Sequence, residues 1–263
     1  MGASLSLAFL LSNEVAMAVT HTSAPKIYYE GYDISADHTN IELNMGRQEL
    51  DKSAFGDVGV ARCAGLWTFD FTHEGWVQHN TATPAIEDIL HGDIGSDSKI
   101  ITICPTTGAV NTIAYSAYGV SLSYTPTYRH GELAGFVGAG YSQSEKVVRG
   151  TTLLTGAKTE SENGTPYELG AVGATEFLYG ILHCTAVSGT DTPTITVVIE
   201  SDDAEAFTDA TTRISFTAKT AIGAQWATRV AGAITDTWWR AVCTVTGTNP
   251  SLTIHCVMAI KGD

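Results

Sequence analysis

Strict alternation of polar and apolar residues is the feature that most limits how this chain can fold. It runs from Asn40 to Met45 and again from Trp67 to Thr72. A period of two places every second side chain on one face of a β-strand, whereas an α-helix repeats after about 3.6 residues. Both stretches therefore predict strands that are buried on one face.

The rest of the chain repeats this strand chemistry. Runs such as Lys99–Cys104 and Thr194–Glu200 are rich in β-branched residues, and 26 glycines provide turns. One short helix is predicted, with Thr83 as its cap, Pro84 in its first position and Gly92 at its end. The sequence thus predicts an all-β fold: a β-sandwich or open barrel with one short flanking helix, followed by a second small antiparallel β-sandwich.

A polar segment with Gly and Pro, Ala157 to Gly170, is the best candidate for a domain boundary. We predict an N-terminal arm or over-called start at 1–24, a β domain at 25–160 and an accessory β-sandwich at 170–263.

The N-terminus leaves alternatives open. The apolar run Leu5–Leu11 has no preceding Lys or Arg, and it is too short to span a bilayer. We prefer two interpretations. In the first, Met17 is the true first residue and Met1 is an upstream start assigned in error; in the second, these residues form a flexible arm. A signal peptide or a membrane anchor is the alternative.

Patterns typical of catalysis or metal binding are absent. His73, Glu74 and His79 lack the helical pair of histidines that zinc requires, and the acids from Asp202 to Glu205 lack the spacing of a Ca²⁺ loop. No serine-nucleophile or phosphate-loop motif occurs, and no carboxylate pair stands out. The five cysteines form no CxxC motif and suit a reducing site of synthesis. We predict a protein that is not an enzyme and has no cofactor and no metal.

The charge is strongly acidic, with 14 basic against 28 acidic residues and a net charge of −14. Such a surface repels phosphates, which disfavours a protein that binds DNA or RNA. Simple solubility is the alternative explanation of this charge.

A polar insertion, Gly46 to Leu66, separates the two alternating stretches. An irregular connection of about twenty residues is uncommon in a compact domain and is usually functional or disordered.

Short motifs around this insertion carry a family resemblance. They are GYDIS, an alternating strand that ends in Met-Gly, the stretch KSAFGD, and Ala-Gly-Leu before an aromatic strand. Over residues 25–155 this order resembles the tail tube (major tail) proteins of long-tailed bacteriophages. The second half, with SDDAEAFTD, ITDTWWRA and GTNPSLTIHC, resembles an accessory β-sandwich of phage structural proteins.

This resemblance implies a virion protein of the tail, made in the cytoplasm of the bacterial host. Its partners would be itself, in rings that are commonly hexameric and stack into a tube, and other tail proteins at the tube ends. DNA would pass through the tube without specific binding, and no membrane would be involved. Carboxylates are expected to outnumber Lys and Arg on the strands that face the lumen. Three two-domain chains in a pseudo-six-fold ring remain an alternative to the hexamer.

The resemblance also implies that the insertion is a loop that reaches the neighbouring ring. Its expected contact residues are Asp51, Lys52, Phe55, Asp57, Arg62 and Leu66.

An aromatic pair followed by a cation, Trp238-Trp239-Arg240, forms a possible surface of the accessory domain. Adjacent strand residues face opposite sides, so one Trp is expected in the core and the other outside it. An exposed Trp would suit a secreted carbohydrate-binding protein. That protein class, and a capsid decoration or tail terminator protein, are the alternatives to a tail tube.

Overall fold

The computed structural model describes residues 24–78, 85–142 and 147–262 and is nearly all β, as the sequence predicts. Its only α-helix in these ranges is α1 (Ile86–Gly92), which ends where predicted. The strands follow in chain order: β1 (Lys26–Tyr29), β2 (Tyr32–Asp33), β3 (His38–Asp51), β4 (Arg62–Trp76), β5 (Lys99–Cys104), β6 (Ile113–Thr127), β7 (Gly135–Ser142), β8 (Val148–Lys158), β9 (Glu162–Asn163), β10 (Tyr167–Glu168), β11 (Glu176–Asp202), β12 (Thr211–Ser215), β13 (Gly223–Trp226), β14 (Val230–Ala231) and β15 (Trp238–Gly262).

Antiparallel pairing links these strands in the order β12-β11-β15-β8-β6-β5-β1-β2. A branch leaves this path at β6 and continues through β7 and β4 to β3. The long strand β6 belongs to both parts, because its first half pairs with β5 and β8 and its second half pairs with β7.

The core of the N-terminal half lies between the β3-β4-β7-β6 branch and the layer of β1 and β5. Phe69 and Phe71 of β4 point into it together with Ile101 and Ile103 of β5, as their alternation predicts. The apolar face of α1 covers one side of this core.

The N-terminus of α1 is stabilised by the side chain of Asp88, a residue of its first turn. The Asp88 carboxylate accepts a hydrogen bond of 3.1 Å from the backbone N–H of Ala85, which satisfies a donor that the helix leaves unpaired. The predicted cap Thr83 and the predicted first residue Pro84 lie outside the described residues, as do 1–23 of the predicted arm.

A bent two-stranded ribbon of β11 and β15 builds the C-terminal half. Its pairing continues from Glu176 opposite Gly262 to Asp202 opposite Trp238. Both ends of the ribbon contribute to one core, where Leu178 and Met258 from one end join Ile199 and Trp239 from the other. The ribbon therefore folds back on itself and forms both layers of a sandwich.

The residues Ser188–Asp191 and Thr246–Pro250 have the composition of turns, which predicts strand ends there, and this prediction is wrong. The strands continue through them, and the register shifts there instead. Gly189 and Gly247 have φ of 123° and 117°, a conformation that bulges use and that glycine permits. The bulges bend the ribbon without ending it.

The sheet is continuous across the predicted domain boundary, since β8 pairs with β15. A third core lies between the two halves, where Tyr28 and Ile100 meet Tyr179, Ile181 and Val257. The division at 25–160 and 170–263 stays a prediction.

Candidate functional site: a projecting hairpin and an acidic sheet face

The hairpin of β3 and β4 extends well beyond the sheet. Strand β4 pairs with β7 only from Asp70 to Trp76, whereas from Arg62 to Phe69 its one partner in the described ranges is β3. We call residues 47–67 the arm. At about 3.3 Å per residue, its strands project roughly 15–20 Å from the end of the sheet.

The prediction of an irregular insertion at Gly46–Leu66 is wrong, because strands β3 and β4 extend into both ends of this segment. Only residues 52–61 lie outside strands. Hydrogen bonds also order this tip: the carboxylate of Asp51 accepts from Ser53 N–H at 2.8 Å, and that of Asp57 accepts from Ala54 N–H at 2.7 Å. The prediction failed because the strands of the arm face solvent on both sides and thus lack the alternation that marks half-buried strands.

The arm carries several apolar side chains that are exposed to solvent. Phe55 and Val58 at the tip are fully exposed, and Val60, Leu66 and Leu50 are also exposed. A two-stranded hairpin gains little from such side chains on its own. Contiguous exposed apolar surface marks a site of protein–protein interaction.

The six residues expected to make inter-ring contacts all lie on the arm, but they differ in what they touch. Asp51 and Asp57 accept the tip hydrogen bonds, and Arg62 forms an ion pair of 2.6 Å with Glu49 across the hairpin. Lys52, Phe55 and Leu66 are exposed. The structure contains a single chain, so their contacts with another copy stay a prediction.

The base of the arm is held by cations. The guanidinium of Arg47 lies 4.4 Å from the centre of the Trp67 ring, and the ammonium of Lys261 lies 4.5 Å from it. The Lys261 ammonium also donates to the carbonyl of Val147 at 2.5 Å. Cation–π contacts of this kind fix the direction in which the arm leaves the body.

The outer face of the β3-β4-β7-β6 branch is the second feature of interest, and we call it the acidic sheet face. Register places one exposed row of each strand side by side on it. The exposed residues of this face are Asn40, Glu42, Asn44, Asp70, Thr72, Glu74, Ser123, Thr125, Val137, Ala139 and Tyr141. Its charged residues within this set are all carboxylates.

Both edges of this four-stranded branch lack a further strand in the described part of the chain. Strand β3 pairs only with β4, and β6 pairs only with β7 from residue 121 to Thr127. Helix α1 contacts β6, and Tyr128, just after the end of β6, donates a hydrogen bond to the Glu87 carboxylate of the helix. Edges with unpaired backbone groups are templates for pairing with another chain.

The aromatic pair of the second half divides as predicted between core and exterior. Trp239 is completely buried, and its indole N–H donates to the carbonyl of Gly170 at 2.7 Å, so it is not part of a surface. Trp238 is half-buried. Arg240 binds the Glu200 carboxylate at 2.9 and 3.0 Å and covers the Phe207 ring.

Buried histidines form a polar network that no pattern in the sequence predicts. The His183 ring accepts from Gly31 N–H at Nδ1 (3.3 Å), so in its neutral form Nε2 carries the proton and donates to Thr102 Oγ1 (2.9 Å). The Thr102 hydroxyl continues the chain to Ser116 at 2.8 Å. Burial lowers the pKa of His183 well below its usual value.

A second buried histidine lies close to this network. The His255 ring stacks on Tyr28 with 4.3 Å between ring centres, and its Nε2 is 3.4 Å from the Cys104 sulfur. Burial lowers the pKa of His255 to about 4 and raises that of the Cys104 thiol to about 12. A thiol that stays protonated is a poor nucleophile, so this pair does not resemble a catalytic dyad.

His73 and His38 form a third pair, beneath the acidic sheet face. His38 donates from Nδ1 to the carbonyl of Ile34 at 2.7 Å, and its Nε2 then accepts from His73 Nδ1 at 2.9 Å. The predicted strand context of His73 and Glu74 is confirmed, while His79 lies outside the described residues. No group of three or more potential metal ligands occurs among the described residues.

Four cysteines are buried, namely Cys104, Cys184, Cys243 and Cys256, and Cys63 is exposed on the arm. None of the described helices is long and apolar enough to cross a membrane.

The solved structures that are similar to this chain include a sheath-tube complex and a phage hub protein. No protein-family model matches the chain, and no curated protein matches it. The PVC sheath-tube complex of an extracellular contractile injection system, in its extended state, is similar over 52% of this chain and 94% of that chain, at 12% identity and a TM-score of 0.38. The SPP1 Dit protein, a hub of the adsorption apparatus in phages that infect Gram-positive bacteria, is similar over 90% and 99%, at 11% identity and a TM-score of 0.31. At TM-scores below 0.5, neither similarity carries an argument about this chain.

Proposed function

We propose that this chain is a structural protein of a phage virion that forms the tail tube. The projecting arm is the observation that carries the proposal, because its exposed apolar side chains need a partner and its position suits a contact between stacked rings. The resemblance of residues 25–155 to tail tube proteins supports the same role. The role is structural rather than enzymatic.

The contact within a ring follows from the two open edges. Strand directions alternate across β3, β4, β7 and β6, so β6 runs opposite to β3. Rotation about a ring axis preserves these directions, and β6 of one copy would therefore meet β3 of the next as an antiparallel pair. Six copies would close a barrel of about 24 strands, a size that leaves an aqueous channel.

The acidic sheet face would line this channel. Glu42, Asp70 and Glu74 are its charged residues in the described set. DNA binds basic surfaces by releasing condensed counterions, whereas a carboxylate surface repels the phosphates. A wall of this kind would let DNA pass during genome ejection without holding it.

The C-terminal half would form the outer wall. The core of the N-terminal half separates the acidic sheet face from the β11–β15 ribbon, which therefore lies away from the channel. Other tail proteins would bind at the two ends of the tube. Trp239 is buried and Trp238 is half-buried, so neither presents the fully exposed ring on which the carbohydrate-binding alternative depends.

Negative-stain electron microscopy of the purified protein tests this function. We expect hollow tubes or stacked rings from the unchanged chain, and rings without stacking from a variant that carries Phe55→Ser and Val58→Ser. Ile222→Ser, at an exposed apolar residue of the C-terminal half, is the matched control and should form tubes. Discrete particles that never stack, or solid filaments, would refute the proposal.

A further inference from the structure

A cleft of about 280 Å³ opens at the end of the acidic sheet face that lies farthest from the arm. It is bounded by the start of β3, the end of β4 and the segment that joins β6 to β7. Residues that line it include Thr39, Trp76, Arg129, Glu132, Leu133 and Val137.

Apolar and polar side chains line the cleft in about equal share. Trp76 is 46% exposed and Leu133 is 74% exposed, which is unusual for large apolar side chains. Arg129 and Glu132 are 3.6 Å apart and largely exposed, so the rim presents both signs of charge. Glu74 of the acidic sheet face adds a carboxylate to the lining.

The tip of the arm matches this chemistry. Phe55 and Val58 provide exposed apolar side chains, and Lys52 and Asp57 stand beside them. A positive and a negative side chain on the tip would thus meet a carboxylate and a guanidinium on the rim.

The geometry prevents an intramolecular contact. Strand β4 starts in the arm at Arg62 and ends in the cleft at Trp76. Its 15 residues separate the base of the tip from the cleft by roughly 45 Å at about 3.3 Å per residue. Because the arm points away from the cleft, its tip can fill such a cleft only on another molecule.

We propose that the arm of one copy inserts Phe55 into the Trp76–Leu133 cleft of a second copy. The inference rests on the proposed function and deepens it, since it assigns the acceptor of the inter-ring arm. The two complementary surfaces lie at opposite ends of one sheet. A contact between them repeats along the strand direction without closing, which is the condition for a polymer.

Cross-linking between two differently substituted chains tests this contact. Both chains carry Cys63→Ser, because Cys63 is exposed and the other four cysteines are buried. One chain adds Phe55→Cys and the other adds Leu133→Cys. The mixture is treated with a short bismaleimide under conditions that allow assembly. The matched control replaces the second chain by one with Ile222→Cys, whose site is exposed and is not among the residues that line the cleft.

We expect a cross-linked dimer from the Phe55→Cys and Leu133→Cys mixture, at least tenfold more abundant than from the control mixture. Equal cross-linking in both mixtures, or none in either, would overturn the proposal. Efficient cross-linking of the Phe55→Cys chain with itself would also overturn it, because the arms would then pair with each other.

The same experiment separates the two proposals. Tubes in the microscope without the Phe55–Leu133 product would disprove this acceptor while the tube function stands. The product without tubes or stacked rings would support the arm–cleft contact and disprove the tube function.

Discussion

Burial of individual histidines gives the molecule a sensitivity to acid. His183 and His255 have no exposed surface and His73 is 2% exposed. Burial is the first cause of the lowered pKa of each, which falls to about 4 for His255 and to about 3 for His73. All three are therefore neutral in the folded protein near pH 7.

The sign of the pH effect follows from linkage. An unfolded chain binds protons at these histidines below about pH 6.5, whereas the folded protein excludes them until much lower pH. The free energy of unfolding should therefore fall as the pH drops from about 6.5 towards 4. Each histidine contributes about 1.4 kcal/mol per pH unit at most.

Urea unfolding between pH 4 and pH 7.5 measures this effect. In His255→Gln, the loss of stability over this range should be smaller than in the unchanged chain by about 3 kcal/mol or less. The matched control is His130→Gln, at an exposed histidine outside the buried network. A stability that is flat from pH 7 to pH 4.5 would contradict the buried neutral network.

At the scale of elements, the arm has an ordered form but few contacts with the body. Its strands pair with each other, and its tip is closed by the Asp51 and Asp57 carboxylates. Trp67, with Arg47 and Lys261, fixes its base. Elements with exposed backbone and few buried contacts open locally more easily than the core does.

Limited trypsin digestion therefore distinguishes the free and the assembled arm. Lys52 and Arg62 flank the tip, and both are expected to be cleaved early in the unassembled protein. Burial of the tip in a neighbouring copy should slow cleavage there at least tenfold in assembled tubes. An arm that is cleaved at the same rate in both states would show that it takes no part in stacking.

The sequence predicted the strands that are buried on one face and exposed on the other, and it missed the strands that are exposed on both faces. Alternation identified the strand from Trp67 to Thr72 and its buried residues Phe69 and Phe71. It could not identify the strands of the arm, which are exposed on both sides. It also could not reveal the acidic sheet face, because Glu42 becomes a neighbour of Asp70 and Glu74 only through the register of β3 against β4. The cleft has the same origin, since three separate segments meet to form it.

For the whole molecule, the position of the negative charge matters more than its total. A net charge of −14 favours solubility whether or not the chain lines a channel for DNA. Only the carboxylates of the acidic sheet face would meet DNA inside a tube. Two variants of equal charge can separate these effects.

The first variant carries Glu42→Lys, Asp70→Lys and Glu74→Lys on the acidic sheet face. The second carries Asp97→Lys, Glu160→Lys and Glu205→Lys at exposed sites elsewhere. Each raises the net charge from −14 to −8, since three acids become three bases. We expect the first variant to hold back DNA within its tubes, or to bind DNA in a salt-dependent manner, and the second to behave like the unchanged chain.

Filter binding or ejection assays at 50 mM and 200 mM salt would measure this difference, since phosphate contacts lose affinity steeply over about that range. Equal DNA binding by the two variants would mean that the acidic sheet face has no special position relative to DNA.

The central place of β15 in the sheet has a consequence for synthesis. It lies between β8 and β11, yet a ribosome makes it after both of them. While it is still inside the exit tunnel, β8 and most of β11 have a bare edge, and the third core lacks one of its walls. Folding of the subunit must therefore wait until β15 has been made. That delay would keep nascent chains out of a growing filament and would make chaperone binding to the waiting strands advantageous.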